Sequence, residues 1–206
     1  DADGEFLHRG DDALRQDVRR LEAEGVQIFT GRRIDRTFLT DAAGPYAVVV
    51  VACGHGQGQA MAIPGETGPG VVEGLDFLRG IREGGGRPCD GLTAVIGGGN
   101  TAVDAARSVV RLGGNAVILY RRRRQDMPAF QDDVGMALEE GVILEELVAP
   151  AAAVRDGEEI VLTLRRMTVS GEERDGRGRV VPDGEKTKDL RVRRIVRAIG
   201  AGPEAA

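Results

Sequence analysis

A glycine turn followed by a run of arginines is the part of this chain with the clearest potential for chemistry. Gly97, Gly99 and Ala102 satisfy the spacing G-x-G-x-x-A, which is typical of turns that hold the pyrophosphate of a dinucleotide. In such a turn the first glycine permits a tight bend and the second lets the backbone approach the phosphates. The small third residue lets the following helix pack against the strand. The spacing therefore predicts a dinucleotide site.

The residues around the turn supply the strand and the helix that such a site needs. The apolar run at 94–96 is typical of a buried parallel strand. Apolar residues at helical spacing begin near Thr101 and end at Gly113, and a second apolar run covers 116–120. The first-turn N–H groups and the helix dipole would then face the phosphates. Glycine-rich turns also occur as plain strand–helix connections, but this context favours the dinucleotide interpretation.

Four consecutive arginines, Arg121 to Arg124, follow the second predicted strand. An NAD site usually has an Asp or Glu near this position, where it accepts a hydrogen bond from the ribose 2′-hydroxyl. Adjacent guanidinium groups repel one another unless an anion lies among them, and arginine binds phosphate in a bidentate manner. The alternative is a solvated basic loop paired with Asp126, Asp132 and Asp133. The position favours NADPH, whose 2′-phosphate the arginines would bind.

The composition argues against several other functions. The net charge is −5, aromatic residues make up 3% and tryptophan is absent, so stacking platforms and basic surfaces for nucleic acid are not expected. No apolar run reaches the roughly 18 residues of a membrane span. The two cysteines predict neither a disulfide framework nor a Cys-x-x-Cys redox centre, so we expect a cytoplasmic protein. His8 and His55 lack ligand-spaced neighbours, and no metal site is predicted.

The pattern of elements predicts an α/β fold, a Rossmann-like domain with a parallel central sheet and a small antiparallel β-meander. Helices are expected at 12–24, 72–83, 101–112 and 127–140. Strands are expected at 25–30, 46–52, 94–96, 116–120, 142–147, 160–169 and 190–199. The many charged residues and glycines at 170–188 predict a flexible stretch there.

Several segments resemble one known family. The motifs VIGGGNTAVDAAR (95–107), YRRRRQDMPA (120–129) and ALEEGV (137–142) are similar to the NADPH-binding domain of the glutamate synthase small (beta) subunit family. That family also includes the flavin part of dihydropyrimidine dehydrogenase. The segments YAVVVVACG (46–54), IPGE with GLDFL (63–78) and RAIGAGP (197–203) agree with it. The resemblance covers nearly the whole chain.

The resemblance implies a flavoprotein in which one Rossmann-like domain holds FAD and a second, inserted one holds NADPH. We therefore assign 1–66 to part of a FAD-binding-type domain, 67–202 to the NADPH-binding domain and 203–206 to a tail. No glycine fingerprint for FAD precedes Gly97, and there are no clustered cysteines. We therefore expect a piece of a longer protein, with any iron–sulfur clusters outside this chain.

The functional residues of the family map onto this chain motif by motif. The resemblance implies a pyrophosphate site lined by Gly97, Gly98, Gly99, Asn100, Thr101 and Ala102. It implies a 2′-phosphate held by Arg121, Arg122 and Arg124, a nicotinamide half against Ala198 and Gly200, and a FAD bordered by Ala52 and Gly54. Cys53 departs from the residue usual in the family and is interpreted as a small buried side chain. No catalytic residue is assigned, because hydride transfer between two bound rings needs no proton from a side chain.

The implied function is an NADPH-binding, electron-input module of a flavoprotein oxidoreductase. Hydride passes from NADPH to FAD, and electrons then pass to iron–sulfur centres or to a large catalytic partner subunit. One alternative is an NADPH–ferredoxin or dihydropyrimidine-dehydrogenase-like oxidoreductase. Another alternative, from a different class, is a nucleotide-binding or assembly module without redox activity. Flavin binding by the complete natural protein would favour the oxidoreductase, and its absence would favour this module.

Overall fold

The computed structural model describes residues 2–42, 46–52, 57–85, 90–172, 176 and 178–202. The chain divides into two compact units, Asp1–Ala52 and Cys53–Ala206. The predicted domain boundary after residue 66 falls within the second unit, and the assignment of 1–66 to a FAD-type domain stays a prediction.

The first unit contains two helices, α1 (Ala2–Ala23) and α2 (Arg36–Ala42). Helix α1 covers most of the helix predicted at 12–24 and begins ten residues earlier. Asp35 fixes the start of α2, because its carboxylate accepts a hydrogen bond from the Phe38 N–H at 2.8 Å. In the described part of the chain, no helix is both long enough and apolar enough to cross a bilayer.

Two strands predicted in this unit, at 25–30 and 46–52, are wrong. All residues of both segments are described, and none of them forms a strand. A strand exists through hydrogen bonds to a neighbouring strand, and apolar residues alone do not supply one. Without a neighbour among the described residues, the side chains of Val48 and Val50 are 76% and 80% exposed.

The second unit carries the sheets. Its strands are β1 (Gln57–Gly58), β2 (Val71–Glu73), β3 (Leu92–Ile96), β4 (Asn115–Tyr120), β5 (Ile143–Glu146), β6 (Val148–Asp156), β7 (Glu159–Glu172), β8 (Gly178–Val192), β9 (Arg194–Arg197) and β10 (Ala201–Gly202). Five of them form a parallel sheet in the order β2-β9-β3-β4-β5. The connecting helices are α3 (Gly74–Gly80), α4 (Asn100–Arg111) and α5 (Gln131–Glu139). The predicted α/β fold with a parallel central sheet is confirmed.

Both faces of the parallel sheet are buried, which explains why most residues of its strands β3 and β4 are apolar. Val95 and Ile118 point to the face covered by α4 and α5, where they join one hydrophobic core. Ile96 and Leu119, the next residue on each strand, point to the opposite face and join a second core. Successive side chains of a strand alternate between faces, so a strand between two cores is apolar along most of its length.

The second core lies between the parallel sheet and an antiparallel sheet of order β6-β7-β8. This sheet confirms the predicted meander, although β6 was not predicted. The flexible stretch expected at 170–188 is wrong for 178–188, which belong to β8, whereas 173–175 and 177 lie outside the described residues. Many side chains of β8 are exposed, and strand pairing with β7 holds them in place despite their charge. The single strand predicted at 190–199 is divided between β8 and β9.

Helices α3 and α5 begin two and four residues later than predicted. Helix α3 begins later because Glu73 still belongs to β2 and is the N-cap residue of the helix. Its carboxylate accepts hydrogen bonds from the N–H groups of Leu75 (2.7 Å) and Asp76 (3.1 Å). For α5, a 3-10 turn at Arg124–Asp126 comes first. Met127, which was expected to open the helix, is instead extended and buried.

A cluster of ion pairs joins α4 to the end of α5. The Arg107 guanidinium donates to the Glu140 carboxylate at 3.0 and 2.7 Å, and Arg111 donates to the same carboxylate at 2.7 Å. Hydrogen bonds from Arg107 and then from Arg111 lower the pKa of Glu140 to about 2. Because the pKa is lower in the folded than in the unfolded chain, this contribution to stability is complete above pH 4.5 and is lost as the pH falls toward 2.

We therefore expect Glu140→Gln to lower the free energy of unfolding by about 1–2 kcal/mol near neutral pH, because two guanidinium groups lose a charged partner. The loss should nearly vanish close to pH 2, where the native carboxylate is half protonated or more. Urea unfolding at both pH values measures this. Glu139→Gln, at the exposed neighbouring position, is the control, and an equal loss for Glu140→Gln at both pH values would contradict the account.

Candidate functional site

Three strand ends meet at one edge of the parallel sheet. Because β9, β3 and β4 are consecutive parallel neighbours, their carboxyl ends lie side by side, about 5 Å apart. Each is followed by a segment that the sequence singled out, namely 198–200 after β9, 97–99 after β3 and Arg121 after β4. A cavity of about 520 Å³ opens at this edge, and all three segments line it. Open α/β sheets bind their ligands in this kind of crevice.

Gly97 and Gly98 fit between the ends of the two neighbouring strands. At Gly97, φ is 142° and a Cβ would lie 2.1 Å from the Ala198 carbonyl oxygen. At Gly98, a Cβ would lie 2.4 Å from Cε2 of Tyr120. Any larger side chain would push apart strand ends that the sheet holds together, so the fold itself requires both glycines.

Gly99 is different, because the protein does not require a glycine at this position. Its φ of −88° and ψ of 176° are ordinary extended values, and among the described residues no atom beyond its chain neighbours lies within 4 Å of where a Cβ would be. Gly99 also lines the cavity, together with Thr101. A surface that bare backbone presents to open space fits a ligand that must come close to the main chain, as a pyrophosphate does.

Helix α4 begins at this point and directs its positive end toward the cavity. One face of the helix is fully buried against the sheet, which fixes its direction; the buried residues are Ala102, Val103, Ala105, Ala106 and Val109. The N-cap residue, Gly99, has no side chain to accept hydrogen bonds from the first turn. First-turn N–H groups of a helix have no partner within the helix, and together with the dipole they favour an anion.

Asn100 and the carbonyl of Gly98 tie the turn to the segment that leads into α5. The Asn100 Oδ1 accepts a hydrogen bond from the Phe130 N–H at 3.0 Å, and the Gly98 carbonyl accepts one from the Ala129 N–H at 3.1 Å. These bonds hold two loops together at the cavity edge. Asn100 therefore supports the turn through its carbonyl oxygen.

The four arginines divide into two pairs. Arg121 and Arg124 are exposed, and Arg121 lines the cavity. The backbone N–H of Arg124 donates to the Glu146 carboxylate. These two side chains extend from a backbone that is itself held in place, so they are available to an anion at the cavity.

The other two arginines are turned toward the protein. Arg122 is 4% exposed, and its Nε donates to the Gly178 carbonyl at 2.9 Å. The Nε of Arg123 donates to the Asp126 carboxylate at 3.0 Å. The alternative of a loop paired with nearby acids thus holds for Arg123 and Asp126.

Tyr120 joins the glycine turn to the arginines. Its ring lies under Gly98, as the close approach of Cε2 shows, and its hydroxyl donates to the Asp126 carbonyl at 2.7 Å. The side chain is buried. One residue therefore sets the position of the 3-10 turn relative to the glycine turn.

Sequence reasoning missed Gln59, Glu73 and Pro150, which also line the cavity. The Gln59 N–H donates to the Gly200 carbonyl at 2.9 Å, which fixes the segment after β9. An acidic residue directly before the helix that follows β2 was a usable signal for Glu73, because carboxylates stabilise helix N-termini. Gln59 and Pro150 come from distant segments and carry no local signal.

The structure brings most of the predicted site residues together. The cavity is lined by Gly97, Gly98, Gly99, Thr101, Arg121, Ala198 and Gly200. Four others belong to the same segments but not to its wall, namely Asn100, Ala102, Arg122 and Arg124. Ala52 is exposed in the first unit, while Cys53 and Gly54 lie outside the described residues. In the part of the chain that the structure describes, no three His, Cys, Asp or Glu side chains are grouped to hold a metal ion.

Comparison with known proteins gives a consistent result. The model of one family, pyridine nucleotide-disulphide oxidoreductase, matches residues 11–206. The NADP(+)-dependent formate dehydrogenase subunit beta of Moorella thermoacetica is 34% identical over 177 residues, which are 83% of this chain and 25% of that protein. The glutamate synthase (NADPH) small chain of Azospirillum brasilense is 29% identical over 203 residues, which are 91% of this chain and 42% of that protein. The chain thus spans less than half the length of either relative.

The fold also has relatives among solved structures. Mycobacterium tuberculosis FprA in complex with NADPH matches with a TM-score of 0.63 over 79% of this chain and 51% of that chain. The sequence identity is 17%, so the similarity shows the fold.

The contrast between Gly97 and Gly99 gives a prediction. Gly99→Ala should leave the melting temperature nearly unchanged, since its methyl group meets no further atom of the described residues. It should weaken NADPH binding about tenfold or more if the phosphates lie against this backbone, because the methyl group would keep them away from it. Calorimetric titration and thermal denaturation measure the two effects. Gly97→Ala should instead destabilise the fold by about 2 kcal/mol or more.

The matched control is Gly135→Ala on α5, where a Cβ would likewise meet no atom of the described residues outside the helix's own backbone. It should change neither NADPH binding nor, apart from a small gain in helix propensity, stability. Unchanged NADPH affinity in Gly99→Ala would contradict the assignment of this surface to the phosphates.

Proposed function

The chain belongs to the pyridine nucleotide-disulphide oxidoreductase family, and we propose that it is the NADPH-binding, electron-input module of a flavoprotein oxidoreductase similar to the glutamate synthase small subunit. In this proposal the second unit binds NADPH at the edge of its parallel sheet. FAD belongs to the complete protein, which accepts the hydride and passes electrons on.

One observation carries the proposal, namely the order of the three segments along the cavity. Bare backbone at Gly99 lies between the cationic Arg121 after β4 and the uncharged residues 198–200 after β9. NADPH has the same order of chemistry, with a 2′-phosphate on one half, a pyrophosphate in the middle and a planar ring on the other half. The asymmetry of the cavity therefore supports a phosphorylated dinucleotide over a single phosphate.

Each segment then has a separate task. First-turn N–H groups of α4 bind the pyrophosphate, and the hydrogen bond between Gln59 and Gly200 keeps the segment after β9 in place beside the nicotinamide half. When bound, NADPH supplies a hydride that a neighbouring flavin accepts. The residues of this chain bind and orient the coenzyme, and none of them needs to transfer a proton.

We assign direct contact with the 2′-phosphate to Arg121, which lines the cavity, and to Arg124, which is exposed in the same segment. Arg122, which the family motif also includes, has its Nε on the Gly178 carbonyl. In our proposal it contributes mainly positive charge and a fixed backbone. Charge at short range still favours a dianion, although solvent screening reduces the effect.

The electron acceptor follows from the relatives and is likewise proposed. The Moorella and Azospirillum proteins are named as a subunit and as a small chain, which supports a larger partner subunit for this protein. Iron–sulfur centres on the partner, or on other parts of the same protein, are the proposed next carriers. A ferredoxin or a pyrimidine as final acceptor is an alternative that this cavity does not distinguish.

The paired variant Arg121→Gln, Arg124→Gln tests the coenzyme assignment. NADPH binding should weaken roughly 10- to 100-fold, because the 2′-phosphate loses its charged partners, while NADH binding should change less than about threefold. Calorimetric titration with both coenzymes measures the two constants. The control Arg19→Gln, Arg79→Gln removes two exposed arginines from α1 and α3 and so changes the net charge by the same amount. Equal losses for NADPH and NADH in the paired variant would refute the assignment.

Oxidoreductase activity has its own test in the natural, flavin-loaded protein. Anaerobic addition of NADPH should bleach the visible absorbance of the flavin, because the hydride reduces it, and NADH at the same concentration should act more slowly. The Gly99→Ala variant should raise the NADPH concentration needed without changing the flavin content. A protein that binds NADPH and flavin tightly but shows no bleaching would contradict a redox function.

A further inference from the structure

The first residue of β8 is bound by the arginine segment at both of its backbone polar groups. The Gly178 carbonyl accepts a hydrogen bond from the Nε of Arg122 at 2.9 Å, and the Gly178 N–H donates to Oδ1 of Asp126 at 3.3 Å. Gly178 is buried, so these bonds are shielded from water. The turn end of the β7–β8 hairpin, where Gly178 pairs with Glu172, is thereby fastened to the segment that follows β4.

Asp126 is the centre of this arrangement. It is 6% exposed, and its Oδ2 accepts hydrogen bonds from the Nε of Arg123 at 3.0 Å and from the Arg123 N–H at 3.3 Å. Its own carbonyl accepts the hydroxyl of Tyr120. We call this group of residues the Asp126 clamp; it consists of Tyr120, Arg122, Arg123, Asp126 and Gly178.

The clamp determines which arginines are turned toward solvent. Four consecutive cations repel one another, and without internal partners their side chains would spread over many conformations. By holding Arg122 and Arg123 against the protein, the clamp leaves Arg121 and Arg124 directed outward on a fixed backbone. Fixed donors lose less conformational freedom on binding than mobile ones, so the same charges bind an anion more tightly.

We propose that Asp126 is a positioning residue that sets the preference for the 2′-phosphorylated coenzyme by holding Arg121 and Arg124 in place, an inference that rests on the proposed function of this cavity. The carboxylate does not touch the coenzyme. It acts through its hydrogen bonds with Arg123 and Gly178. The hydrogen bond from Arg123 lowers the pKa of Asp126, which keeps the carboxylate ionised at neutral pH.

The sign of the effect distinguishes this role from simple electrostatics. Asp126 carries a negative charge close to the arginines, so as a point charge it opposes the binding of a phosphate. Removal of that charge alone would therefore tighten NADPH binding. A positioning role predicts the reverse, because the freed arginines lose their fixed geometry.

The test is Asp126→Asn, which keeps the shape of the side chain but removes the ionised acceptor. We expect the dissociation constant for NADPH to rise about tenfold and that for NADH to change less than about twofold, measured by calorimetric titration of the folded variant. Asp132→Asn is the matched control. It removes one carboxylate from the exposed first turn of α5, and NADPH binding should stay constant or tighten slightly.

Gly178→Ala is a second variant, which changes no charge. It tests the positioning role of the clamp if Asp126→Asn fails to fold. A Cβ at Gly178 would lie 3.2 Å from an Arg123 guanidinium nitrogen and 3.3 Å from Asp126 Oδ2, so it crowds the clamp. The NADPH preference should again fall. Unchanged or tighter NADPH binding in the folded variants, or equal losses for NADPH and NADH, would overturn the inference. Wild-type protein without any preference for NADPH would instead overturn the proposed function itself.

Discussion

The close contact of the glycine turn with two strand ends is the constraint on which this site depends. Gly97 approaches the Ala198 carbonyl and Gly98 approaches the Tyr120 ring, at distances that leave no room for a Cβ. Because the sheet fixes β9, β3 and β4 side by side, these contacts fix the turn as well. The position of the turn then determines where α4 begins and places the backbone of Gly99 in the wall of the cavity.

The same compact packing determines how charge is arranged. Tyr120 forms part of the contact with Gly98 and also holds the carbonyl of Asp126, so the glycine turn and the 3-10 turn share one anchor. The carboxylate of Asp126 accepts hydrogen bonds from Arg123 and from the Gly178 N–H at the start of β8. A positive run that looks uniform in the sequence thus becomes two inward and two outward side chains, which gives the cavity a cationic end.

Sequence patterns predicted the parts of the fold that depend on local spacing. The G-x-G-x-x-A turn, the buried strand before it and the stripe of Ala102 and Val109 on α4 follow from period and residue type, and the structure confirms them. Strand pairing was less predictable, because 46–52 has a strand-like composition yet finds no neighbour among the described residues, whereas the charged β8 pairs with β7. Tertiary contacts also give Arg121 and Arg122 different environments, although the two residues are identical and adjacent. The side chain of Arg122 is held by the Gly178 carbonyl, which lies 56 residues away in the sequence.

A crystal structure of the chain with NADP⁺ would test the central claim most directly. The account predicts the pyrophosphate over the backbone of Gly99 at the start of α4, the 2′-phosphate beside Arg121, and the nicotinamide half along 198–200. It also predicts that Arg122 and Arg123 keep their contacts with Gly178 and Asp126. A dinucleotide bound in the opposite direction, or held away from Gly99, would contradict it.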